Sequence, residues 1–77
     1  MAYSPSQAFG KAVRQVRLER GMSQEAAALN GGIDRAYFGH IERATKAPTL
    51  TMIWKIAKAL DVKPSELMRR AEQIVEG

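Results

Sequence analysis

The chain has 77 residues, no cysteine, 45% hydrophobic and 26% charged residues, and a formal charge of +4. A chain this short supports one domain that buries only roughly 60% of its unfolded surface, and its mixed composition argues against disorder. Disulfides and thiolate metal sites are excluded, no apolar run nears the ~18 residues that span a bilayer, and Met1–Pro5 carries neither block of a secretory signal.

Five helices are predicted. Ser4, Pro5 and Gln7 read as N-cap, first-turn proline and capping-box partner. Ala8, Phe9, Ala12, Val13 and Val16 then recur at helical spacing until Gly21 stops the helix. Ser23 caps a short second helix through Leu29, ended by Asn30-Gly31-Gly32, where glycine accepts a left-handed backbone. Ile33 turns inward, and Asp34 caps a third helix through Glu42 that is anchored by Phe38 and Ile41. Thr49 caps a fourth, with Leu50, Ile53, Ile56, Ala57 and Leu60 as its stripe. Pro64 opens a fifth, about residues 64–76, carrying Leu67, Met68, Ala71, Ile74 and Val75. No segment alternates like a strand, and there is no internal repeat or linker. The expected fold is all-α, a compact five-helix bundle forming a single domain over residues 1–77.

Two short helices joined by a tight glycine turn make a helix-turn-helix, here about residues 23–42. Ala28 stands where the two helices must approach, and Gly32 permits the turn. The third helix is held by few apolar residues, so its first turn and outer face project into solvent. A helix so presented fits the roughly 12 Å major groove of DNA, and the basic excess favours a polyanion.

The matching positions are Phe9-Gly10, Arg14, Arg17, Gly21-Met22-Ser23-Gln24, Ala28, Gly32-Ile33, Ile41-Glu42-Arg43, Pro48-Thr49-Leu50, Ile56 to Leu60, Val62 and Leu67. Through them, residues 9–67 resemble the phage-repressor (Cro/XRE-type) helix-turn-helix family. The run Asp34 to Arg43 is also similar to controller proteins of restriction–modification systems. The resemblance implies a sequence-specific regulator of transcription that binds double-stranded DNA, acts as a homodimer on a palindromic operator, and works in the cytoplasm on the nucleoid. RNA polymerase would be a further partner if the protein activates. The resemblance also pairs Arg17 with Glu42 as a structural ion pair and sets Gln24 against a backbone phosphate. This chain departs from the family pattern in two places: Ala44 stands where a glycine is usual after the Glu-Arg pair, and Ala27 where a leucine is usual. Met22 or Trp54 would have to fill the second gap.

The expected base-reading set is Arg35, Ala36, Gly39 and His40. A guanidinium matches O6 and N7 of guanine, alanine suits a thymine methyl, glycine leaves room for close approach, and histidine can donate. Arg35 opens a helix whose positive end disfavours it, a mismatch that bound DNA would relieve. Gln24, Tyr37, Arg43, Lys46 and Thr49 are the expected backbone contacts, the last three as a loop cluster; the plain alternative is a solvated loop. Trp54, Leu67, Met68, Ala71, Ile74 and Val75 are the expected dimer face, because the fifth helix's stripe is wide for a cap on a small bundle. Alternatively, that stripe folds onto its own monomer.

No nucleophile–base set, paired-carboxylate motif or phosphate-cradling glycine loop is present, so no enzyme, cofactor or metal is expected. His40 is the only histidine. The competing function is an antitoxin or protein-interaction module on the same fold.

Overall fold

The computed structural model describes residues 3–76, folded as α1 (Pro5–Glu19), α2 (Gln24–Gly31), α3 (Arg35–Arg43), α4 (Leu50–Ala59) and α5 (Pro64–Glu76). The predicted starts are all there. Ser4 accepts from the Gln7 amide and donates its own backbone N–H to the Gln7 side chain, closing a capping box. Ser23, Asp34 and Thr49 each accept from the backbone N–H three residues on. Such caps are each worth ~1 kcal/mol, and Pro64 stands at the first position of α5.

Four helix ends share one motif. In each, a residue with positive φ closes the last turn with a pair of backbone bonds. Gly21 and Met22 bond to the carbonyls of Leu18 and Arg17, and Gly32 and Ile33 to those of Leu29 and Ala28. Ala44 and Thr45 bond to Ile41 and His40, and Asp61 and Val62 to Lys58 and Ala57. Gly21 and Gly32 adopt φ of 67° and 64° without strain, and aspartate tolerates the 58° of Asp61. Ala44, at 61°, does not. The loop after α3 thus follows the path a glycine would take, and alanine bears the strain.

The buried side chains form one cluster. Phe9, Val13 and Val16 of α1 meet Phe38 and Ile41 of α3, Ile56 of α4 with its C-cap Leu60, and Leu67 of α5. Close approaches depend on small residues. A β-carbon on Gly10 would lie 2.5 Å from the Ile41 carbonyl oxygen and 2.7 Å from that of Glu42, so only glycine lets α1 cross the end of α3. One on Gly31 would meet the Ala59 side chain at 2.7 Å, where α2 crosses α4. The Asn30 amide adds a bond to the Ala59 carbonyl, capping α4 from α2.

Three expectations change. Leu50 is 70% exposed and stands outside the α4 stripe, whose inner side is carried by Met52, Ile53, Ile56 and Leu60. Met22 packs against the core, whereas Trp54 is 58% exposed and fills no gap in it. Leu67 and Ala71 are buried in the monomer, where α5 packs on α1, so they cannot form a dimer face. Ile74 and Val75 are half-buried on the same side. The stripe is wide because α5 lies along α1 as well as closing the bundle.

Arg70 fixes that packing. It donates to the Glu19 carboxylate at 2.7 and 2.8 Å and to Glu66 at 2.9 Å. Arg69 also donates to Glu66, at 2.8 Å. The hydrogen bond from Arg70 holds the Glu19 carboxyl below its ordinary value, and those from Arg69 and then Arg70 do the same for Glu66. Among the described residues no helix is long and apolar enough to cross a membrane.

Candidate nucleic-acid interface

α3 is oriented by a polar joint in its last turn. Arg17, on α1, donates through Nε to Glu42 Oε2 at 2.6 Å and through Nη2 to Oε1 at 3.1 Å. The remaining nitrogen, Nη1, donates to the Met22 carbonyl at 2.9 Å. The two side chains are only 8% and 3% exposed. A two-point bond of this kind constrains angle as well as distance, so it sets the roll of α3 about its own axis. Gln24 joins it, donating through Nε2 to Glu42 Oε1 at 3.0 Å. One amide hydrogen of Gln24 therefore orients Glu42, and the other is left for a ligand at the start of α2. Sequence reasoning misses this third member, because Gln24 and Glu42 lie on different helices.

With its inner side thus occupied by Phe38, Ile41 and Glu42, α3 turns Arg35, Ala36, His40 and Arg43 away from the core. Arg35 and Ala36 are exposed in the first turn, and Arg35 has no hydrogen bond or ion pair among the described residues. Tyr37 is half-buried with its ring against the core. The His40 ring is pinned through Nδ1 to the Thr45 hydroxyl at 2.6 Å. That hydroxyl also lies 3.3 Å from the His40 carbonyl, to which it donates. This contact occupies Nδ1 and leaves Nε2 as the ring atom free to meet a ligand. Thr45 is a second residue that sequence reasoning misses; the closing turn at Ala44 brings residues five apart together.

Two expected roles alter with the geometry. Arg43 does not belong to the loop: it is the last residue of α3. Gly39 is buried rather than open, because the Arg43 guanidinium occupies the space a side chain would take, with Nη1 2.9 Å from the position of a β-carbon. Lys46 and Thr49 are exposed in the loop that follows. The Thr49 hydroxyl accepts from the Met52 amide at 3.1 Å and retains its own hydrogen to donate. Gln24 opens α2 and Thr49 caps α4, the helices that precede and follow α3 in the chain.

Of the remaining expected dimer residues, Met68 is 48% exposed on α5, and Trp54 stands on the outer face of α4, one turn beyond the exposed Leu50. These are separate from the α3 surface.

A family model described as helix-turn-helix matches residues 13–67. Over 61 residues the chain is 46% identical to control protein C.BamHI of Bacillus amyloliquefaciens, covering 78% of this chain and 75% of that protein. Its structure is similar to that of the restriction–modification controller protein C.AhdI of Aeromonas hydrophila. The TM-score is 0.81 at 42% identity, over 84% of this chain and 98% of the other. Controller protein C.Esp1396I superposes with a TM-score of 0.89 at 25% identity, over 97% and 99% of the two chains. The chain therefore belongs to the helix-turn-helix family, Cro/XRE type, a family of transcriptional regulators.

Proposed function

We propose that this chain is a sequence-specific double-stranded DNA-binding regulator of the restriction–modification controller type, acting as a homodimer on a palindromic operator in the bacterial cytoplasm. The observation that carries this reading is the joint at Arg17, Glu42 and Gln24, which sets α3 with an unpaired Arg35 outward. A rigidly held helix with a free guanidinium in its first turn suits the major groove, where positioning must be fixed before bases can be read.

The roles divide accordingly. Arg35 reads guanine, Ala36 meets a thymine methyl, and His40 offers Nε2 to a base edge. Gln24, Tyr37, Lys46 and Thr49 hold the phosphates on either side. Two copies joined through Trp54 and Met68 would set their α3 helices about 34 Å apart, one turn of the duplex. The residues form one DNA-binding domain, and no catalytic chemistry is assigned to it. The relatives' names supply the controller role: C.BamHI is a control protein and C.AhdI a restriction–modification controller.

The test is selection from random duplex DNA with the purified protein, followed by titration of the selected site. A palindrome should emerge, and Arg35→Ala should relax one position in each half-site by about 1–3 kcal/mol. Weak, salt-sensitive binding that ignores sequence would overturn the reading.

A further inference from the structure

Arg43 stands at the C-terminal end of α3, where a long cation usually extends into solvent or toward the last carbonyls. Here it folds back along the outer face instead. The three atoms nearest to a β-carbon on Gly39 all belong to its guanidinium: Nη1 at 2.9 Å, and Cζ and Nη2 at 3.5 Å. Arg43 makes no hydrogen bond or ion pair with any described residue, so all five N–H donors remain free. Its berth exists because position 39 is glycine; any side chain there would occupy the same space.

Ala36, Gly39 and Arg43 follow one another along the outward side of α3 at helical spacing. The fold-back moves the guanidinium about one turn toward the helix N-terminus, the end that enters the groove. We propose that Arg43 is a second guanine-reading residue beside Arg35, contacting a guanine in each half-site, and that Gly39 positions it. The inference rests on the DNA-binding reading and deepens it: the planar fork of Arg43 takes the place of the side chain that Gly39 lacks. A planar fork matches guanine O6 and N7, and this pairing, unlike a phosphate contact, depends on which base is present. Since Arg43 lies about one to two turns beyond Arg35, or roughly 6–12 Å along the axis, its guanine should fall about two to four base-pair steps from that read by Arg35.

The experiment is selection from random duplex DNA, then titration against single-base-pair variants of the selected site, for the wild type, R35A, R43A, R43K and G39A. Arg43→Ala and Arg43→Lys should each erase the preference for guanine at the same position of the half-site, a loss of roughly 5- to 100-fold in discrimination. Gly39→Ala should weaken that same preference by displacing the guanidinium, with helicity retained because alanine favours helix. If Arg43→Lys binds every variant like the wild type, or Arg43→Ala weakens all sequences equally, Arg43 is a phosphate contact and the inference fails, while R35A still reports on the reading beneath it. If the wild type selects no sequence, both fall.

Discussion

Arg17 and Glu42, 25 positions apart in the chain, meet in a two-point ion pair whose side chains are 8% and 3% exposed. Buried pairs are often poor stabilisers against an apolar replacement, because desolvation offsets their attraction. This one is completed by Gln24 on the carboxylate and by the Met22 carbonyl on the guanidinium, and no buried side-chain polar atom among the described residues lacks a partner. Breaking it leaves an uncompensated buried charge. Glu42→Ala should cost about 3–5 kcal/mol, a large share of a small domain's stability. The double variant R17M/E42L should unfold at a higher urea midpoint than Glu42→Ala. If the double replacement is no better than the single one, the penalty comes from something other than the orphaned charge.

Gly10 tests how closely α1 and α3 must pass. Its missing β-carbon would lie 2.5 and 2.7 Å from two backbone carbonyl oxygens, which cannot swing aside as a side chain could. Gly10→Ala should therefore destabilise by about 1–3 kcal/mol despite alanine's better helix propensity. Thermal unfolding of the variant beside the wild type reads this directly, and an unchanged or raised Tm would mean that the two helices can separate without loss.

Ala44 offers the opposite sign. It holds φ of 61° in the motif that closes α3, where Gly21 and Gly32 do the same work elsewhere in the chain without strain. Ala44→Gly should relieve the left-handed penalty of ~1–2 kcal/mol and lose part of that to backbone entropy, for a net gain of roughly 1 kcal/mol. The gain should appear as a higher urea midpoint with an unchanged slope. Asp61→Gly should gain less, since aspartate accepts this conformation and Asp61 also faces Arg20 at 3.7 Å.

How much of this fold and interface is legible in the amino-acid sequence depends on the range of the forces involved. The four side-chain caps and the glycine ends are legible because each acts within a few residues. The role of Gly10 is not, since the atoms it avoids are carbonyls more than thirty positions away. Periodicity shows that Leu67 and Ala71 face something apolar, but not that it is α1 rather than a second copy. Arg43 is misplaced for a local reason: the apolar anchors of α3 end at Ile41, so periodicity does not fix how far the helix runs beyond it. Sequence gives Gln24 wholly to a phosphate, because no local pattern reveals that Glu42 takes one of its hydrogens.

Acid should loosen α5 from α1. Glu19 and Glu66 titrate below their ordinary 4.5, Glu19 through its hydrogen bond from Arg70, Glu66 through those from Arg69 and Arg70. Because folding lowers these values, the unfolded chain binds more protons in this range, and stability rises with pH. The contribution is fully present above 4.5 and lost as pH falls through the lower folded values. Both groups are solvent-accessible, so the effect is small. Arg70→Met should narrow the difference in urea midpoint between about pH 6 and pH 3. If the difference is as wide as in the wild type, other carboxylates govern the acid limb.

Lys46 separates charge from reading. It is exposed in the loop after α3 with no ion pair among the described residues, and an ammonium offers a phosphate a point charge with no geometry to discriminate bases. Replacing it with alanine should weaken binding to all sequences alike. Each lost phosphate contact should reduce the slope of log K against log salt by about 0.9, and a dimer loses two. The preferences found by selection should be unchanged in Lys46→Ala, in contrast to R35A. If Lys46→Ala alters which base is preferred, the loop reaches the groove floor, and positioning and reading are not divided between the loop and α3.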